Sequence, residues 1–169
     1  HLGAPGEFIA AAKRGFLFQG QRYDWQLQPR GTAALDLDPA KFIIFVQNHD
    51  QIANTDRGRR FHQLASPGRA RAMTALMLLG PGTPMLFQGQ EFWASAPFLY
   101  FADHQKDLAA MVKKGRSEFL RQFPNLDDDA VQALLTDPAD RDTFERSRLD
   151  WSERDTHHEA VALHRDLLR

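Results

Sequence analysis

Phe42-Ile43-Ile44-Phe45-Val46-Gln47-Asn48-His49-Asp50-Gln51 divides into two halves of opposite character. Its first five residues form a continuous apolar run of β-branched and aromatic side chains, the pattern of a strand buried on both faces of a parallel sheet. The last five are polar without interruption. In parallel α/β folds ligands collect beyond the carboxyl ends of strands, so polar residues in that place read as a site. A carboxylate such as Asp50 can stabilise a developing positive charge or accept hydrogen bonds from sugar hydroxyls, and His49 beside it can donate to the same ligand. The ordinary alternative is that Asp50 caps a loop and His49 packs.

Downstream, Ser66-Pro67 sets a capping residue before a proline in the first helical position, which predicts a helix over 67–79 ended by Gly80-Pro81-Gly82. Ala72, Ala75, Leu76 and Leu79 make one stripe, while Met73, Met77 and Leu78 fill most of the opposite side. Such a helix is expected to be covered on more than one face. Pro84-Met85-Leu86-Phe87 then reads as a second strand, 84–87, ending in Gln88-Gly89-Gln90-Glu91. Strand 42–46, crossover helix and strand 84–87 make one βαβ unit with parallel neighbours. Upstream, Glu7 to Arg14 predicts a short helix with Gly15 as its cap, and residues 16–37 read as a long irregular connection. Beyond the aromatic segment Phe92 to Phe101, C-terminal helices are expected within 108–169: from Leu108 to about Gly115, from Asp127 to Leu135, and from Glu153 through Leu168.

The composition is that of a globular α/β protein, with 43% hydrophobic and 25% charged residues among 169. Lys and Arg number 21 against 22 Asp and Glu, a net charge of −1, so the basic face that a nucleic-acid partner requires is missing. The lack of Cys excludes disulfides and thiolate-based metal or redox sites. The longest apolar stretch, Ala72 to Leu79, is far short of the roughly 20 residues that span a bilayer. No membrane partner is expected, and the chain reads as soluble and cytoplasmic. Two buried-type strands cannot protect both edges of a parallel sheet, and a (β/α)8 barrel needs about 200 residues at minimum. Residues 1–169 are therefore expected to be a fragment of a larger fold. His1 in place of Met, and a last helix that reaches Arg169 without a stop signal, fit a fragment.

At family level the residues carry a resemblance. Phe45-Val46-Gln47-Asn48-His49-Asp50 resembles the strand-seven signature of the α-amylase superfamily of glycoside hydrolases, and Pro84 to Glu91 resembles its strand eight. Narrower matches point to the maltooligosyltrehalose trehalohydrolases within that superfamily. They are Gln47 to Gln51, Pro97-Phe98-Leu99-Tyr100-Phe101-Ala102-Asp103-His104, Gly115-Arg116, Thr143-Phe144-Glu145-Arg146 and Leu149-Asp150-Trp151. The resemblance implies that residues 1–169 are a partial catalytic domain, roughly the last quarter of a (β/α)8 barrel, in an enzyme that cleaves an α-1,4-glucosidic bond with retention and releases trehalose. Retention needs two carboxylates about 5–5.5 Å apart; in the family these lie N-terminal to anything in this chain. Asp50 matches the third family carboxylate, a transition-state stabiliser. His49 matches the sugar-binding histidine beside it, and Asn48, Gln51 and Glu91 are taken as further substrate-binding residues. A maltooligosaccharide-type substrate is implied, with no cofactor, and the isolated chain is expected to be inactive.

Each remaining candidate has a plainer explanation beside it. Adjacent parallel strands lie about 4.8 Å apart, so Asp50 and Glu91 could approach the spacing of a retaining pair, but a structural role for Glu91 in its loop is the stronger reading. Gln90 stands where relatives often carry a second Glu, which changes a charge near the cleft. Phe92, Trp93, Phe98, Tyr100 and Phe101 could stack on sugars, yet at least three of them are expected to form a small core under a long loop. Trp25 and Tyr23 share that ambiguity. Arg57, Arg59 and Arg60, with Asp56 nearby, read as a solvated, salt-bridged loop. Asp103-His104 and His157-His158 lack the three or four converging ligands of a metal site, so no metal is expected. Two other functions compete: a non-catalytic carbohydrate-binding or scaffold piece, and a metal-dependent phosphohydrolase built on His49-Asp50, which would want those ligands on helices.

Overall fold

A computed structural model of the chain describes residues 4–55, 57–123, 126–132 and 135–169. His1, Asp56 and the 133–134 part of the helix predicted to Leu135 lie outside them. Helix α1 (Pro5–Arg14) begins with proline in its first turn and ends at Gly15, whose φ of 79° and N–H to the Ala11 carbonyl at 2.8 Å make the left-handed cap that the sequence predicts. A Cβ on Gly15 would also meet the Phe42 ring at 2.8 Å, so this position admits glycine on two counts. The following stretch is less irregular than its composition implies. Strands β1 (Arg22–Tyr23) and β2 (Gln28–Pro29) form a small antiparallel hairpin, with Arg30 lying 4.8 Å from the Tyr23 ring centroid. The turn carries Leu27 at φ 55°, a conformation that no Gly or Asn announces.

After the 3-10 turn Pro39–Lys41 come β3 (Ile43–Ile44), the short helices α2 (His49–Ala53) and α3 (Phe61–Leu64), helix α4 (Pro67–Leu78) and β4 (Thr83–Pro84). β3 and β4 are parallel, with Ile43 opposite Thr83 and Ile44 opposite Pro84. Backbone N–H groups of Thr83 and Met85 donate to Phe42 and Ile44, both at 2.8 Å. The predicted strand-helix-strand unit is therefore present, with a shorter ladder than the 42–46 and 84–87 runs imply.

Burial departs from expectation. β3 is not covered on both faces: Ile43 is 62% and Phe45 41% exposed. Helix α4 likewise packs one side, through Ala70, Thr74, Met77 and Leu78, while Leu76 and Leu79 stay exposed. Phe8 of α1, Ile43, Phe45, Leu76 and Met77 line an open apolar groove of about 340 Å³. The apolar residues are those of a two-sided layer, but among the described residues nothing lies over this side.

The C-terminal part supplies α5 (Lys106–Leu120), α6 (Asp129–Gln132), α7 (Arg141–Arg146), α8 (Glu153–Thr156) and α9 (His158–Leu167). α5 runs through Gly115 instead of stopping there. Its extra turn is anchored by the fully buried Leu120 and by Ser117 donating to Gln132 at 2.7 Å, which offsets the roughly 1 kcal/mol that a helical glycine costs. The predicted last helix breaks at His157, whose ring Nδ1 lies 3.0 Å from the Phe92 carbonyl. No helix among the described residues is long and apolar enough to cross a membrane.

Candidate active site

The polar run after β3 does not stay a loop. Asn48 caps α2, its side-chain oxygen accepting from the Asp50 N–H at 2.8 Å, and Gln51 returns the bond by accepting from the Asn48 N–H at 2.9 Å. This reciprocal cap stands Asp50 in the first helical turn, where a carboxylate is favoured by the helix dipole. His49 Nε2 lies 3.4 Å from Asp50 Oδ1, and both side chains are about two-thirds exposed. Asn48 and Gln51 thus each use one acceptor position of the carboxamide oxygen in the cap, which leaves their NH2 groups and the second lone pair for a ligand. Ile52 and Ala53 on the other side of α2 are buried and seat the helix.

Beneath this turn lies a buried polar brace. Gln47 is buried, accepting from the Phe61 N–H at 2.9 Å and donating to Gln90 Oε1 at 3.4 Å. Gln90 is equally buried, with its Nε2 on the Met77 sulfur at 4.0 Å. Sequence reasoning places Gln90 near the cleft; in the structure it ties the ends of the two strand segments together. Arg60 corrects the sequence reading more sharply. It is fully buried, not a solvated loop residue, and its Nε and Nη1 donate to the Ala96 and Gln88 carbonyls, each at 2.7 Å. Desolvation pulls its pKa down, and the fields of Glu91 and Glu153 oppose that shift. Those two carbonyls belong to the loop after β4, so one guanidinium holds the loop after β4 against the loop after β3. Glu91, half-buried in that loop, acts on Arg60. Arg57 and Arg59 remain exposed.

The aromatic segment is largely the small core expected. Phe92 is fully buried with its ring 5.6 Å from that of Trp151, and Phe98 stands edge-on to Phe87 at 5.0 Å and to Phe101 at 5.7 Å. Trp93 takes φ 51°, unusual for a bulky residue, and stacks on His62 with centroids 6.0 Å apart. Burial, then the adjacent Arg60 charge, pushes the His62 pKa down to about 4. Trp25 is exposed, with Tyr23 edge-on to it at 6.1 Å. Neither Asp103-His104 nor His157-His158 gathers further ligands: among the described residues no group of three or more His, Asp or Glu is placed to hold a metal. No sequence rule marks Arg60 or Gln47 as buried, since both stand in runs of polar residues. The one signal is that Arg60 lies between Gly58 and the aromatic pair Phe61-His62.

A parallel strand-helix-strand unit with a carboxylate at the end of its first strand is the construction of barrel enzymes that bind at strand ends. By sequence and fold the chain resembles the α-amylase class of glycoside hydrolases. It superposes with a TM-score of 0.86 and 35% identity on a Salmonella typhimurium crystal structure provisionally named an alpha amylase, covering 98% of this chain and 28% of that one. Within the class it resembles malto-oligosyltrehalose trehalohydrolases. It is 37% identical to that of Deinococcus radiodurans over 161 residues, 93% of this chain and 26% of the relative, and 34% identical to that of Arthrobacter ramosus over 174 residues, 99% of this chain and 29% of the relative. The chain therefore spans about a quarter of the length of the curated relatives it matches. No protein-family profile matches it.

Proposed function

We propose that the chain is the strand-seven and strand-eight portion of a (β/α)8 glycoside hydrolase that releases trehalose from maltooligosyltrehalose with retention. β3 and β4 take the places of those two strands. The observation that carries the reading is Asp50: an exposed carboxylate, fixed by the Asn48–Gln51 cap at the end of a parallel strand, with His49 at its side. In this role Asp50 accepts from sugar hydroxyls and stabilises the positive charge of the oxocarbenium-like transition state. His49, with Asn48, Gln51 and Glu91, holds the sugar. The nucleophile and the general acid/base come from earlier strands of the longer enzyme, which also cover the groove beside Ile43 and Phe45. Without them the 169-residue chain binds sugar weakly and does not cleave it.

Asp50→Ala in the full-length enzyme tests the role. A residue that acts chiefly in the transition state lowers kcat far more than it raises KM. The expected loss in kcat is on the order of 10²–10³-fold, the scale of removing one electrostatic stabiliser. A variant that keeps kcat and loses only KM would demote Asp50 to ground-state binding.

A further inference from the structure

We infer that Arg116 is a positioning residue for the His49–Asp50 turn, acting from helix α5 through the C-terminal end of α2. This rests on the functional reading of Asp50 given above. α2 has five residues, too few to hold a helix by propensity alone. Its N-terminal end is closed by Asn48 and Gln51. Its C-terminal end, where backbone carbonyls lose their intrahelical partners, is closed from 62 residues away. Arg116 Nη1 donates to Asn54 Oδ1 at 2.9 Å, and Nη2 donates to the Ala53 carbonyl.

Asn54 is also the residue whose N–H donates to the carbonyl of Asp50, at 3.2 Å. A path of direct contacts therefore runs from the guanidinium to Asn54 to the backbone of the candidate stabiliser. The Tyr100 ring lies under the guanidinium, 4.5 Å from its carbon, and the surroundings desolvate the cation enough to pull its pKa down. A positive charge at a helix C-terminus is favourable, and a planar fork can serve two acceptors where an ammonium serves them poorly. α5 in turn is tied down independently of α2, by Leu120, by Ser117 to Gln132, and by Lys113 to Asp137 at 2.7 Å. The guanidinium thus ties the long helix to the C-terminal end of the short one.

Ala53 and Asp50 are three residues apart, about 4.5 Å along a helix axis, so a shift at the clamp is passed to the carboxylate almost undiminished. A displacement of about 1 Å at a reacting group can cost about 100-fold in rate. Gly115, quoted with Arg116 as a family match, adds nothing of its own: a Cβ there would meet open space.

The test uses Arg116→Met and Arg116→Lys, with Arg121→Met as control, because Arg121 pairs with Asp127 and Asp129 and does not touch α2. In the full-length enzyme Arg116→Met should lower kcat 10- to 100-fold with KM changed less than threefold, and Lys should restore only part of the loss. In the 169-residue chain, amide exchange at Asn54 and Ile52 should quicken at least tenfold in Arg116→Met while exchange in α9 holds steady. Arg121→Met should do neither. The inference is overturned if kcat stays within twofold of the parent, if Lys restores it fully, or if exchange in α2 and α9 rises together as in general destabilisation. An enzyme that releases no trehalose at all would instead remove the functional reading, and the exchange experiment would still decide whether Arg116 clamps α2.

Discussion

The two sides of the β3–β4 layer differ in a way that separates local from borrowed stability. On the strand-end side, Gln47, Arg60, Gln90 and Phe92 are buried, and the loops after both strands are tied together by polar contacts from within the chain. On the groove side, Phe8, Ile43, Phe45 and Leu76 are as apolar as any core, yet exposed. The first region is held together by contacts from within the chain. The second has the composition of a core without its cover, which is what a layer of a larger barrel looks like when its neighbours are taken away.

The widest gap between the regions should appear on truncating one ring in each. Phe92→Ala removes a fully buried ring and should cost about 3–5 kcal/mol, whereas Phe45→Ala, which removes a half-exposed one, should cost less than about 1 kcal/mol. Urea unfolding of the 169-residue chain measures both; equal losses would erase the distinction. In the full-length enzyme Phe45→Ala should become the costly change it is not here.

Next in size is Arg60→Met, which removes a fully buried guanidinium and the donor to the Gln88 and Ala96 carbonyls. The expected loss is about 2–4 kcal/mol, with little dependence on salt, because the guanidinium is out of contact with solvent. A salt-dependent loss would return Arg60 to the surface role that its sequence context implies.

The smallest effect is a slope. His62 has its pKa pushed down to about 4 from an ordinary value near 6.5, so between those values the unfolded chain binds more protons than the folded one. The stabilising contribution of the neutral, stacked ring is therefore complete above about pH 6.5 and is lost as pH falls towards 4. His62→Gln should flatten that part of the stability-against-pH curve. A slope of opposite sign would mean that the ring is charged in the folded chain.

The sequence made the scaffold legible where a local rule applied. Ser66-Pro67 announces α4, Gly15 closes α1, and two apolar runs flanking a helix predict the parallel pairing. The polar turn proposed as the site was equally visible, because five polar residues follow an apolar strand. What escaped depends on partners far along the chain. Arg60 looks like its neighbours Arg57 and Arg59 until the carbonyls of Gln88 and Ala96 close on it. Gly115 resembles a helix stop until Leu120 finds its burial, and His157 breaks a helix only because the Phe92 carbonyl faces it. The two-sided burial expected of β3 failed for the opposite reason: its pattern describes contacts that the described residues do not supply.

One assay bears on the central claim directly: trehalose release from maltooligosyltrehalose by the isolated 169-residue chain and by its Asp50→Ala variant, at equal concentration. No release above background is expected from either, because Asp50 is proposed as the one family carboxylate of three that this chain holds, whereas the full-length enzyme is expected to turn over and to lose that turnover with Asp50. Release by the isolated chain that survives Asp50→Ala would contradict both the role of Asp50 and the dependence on the rest of the barrel.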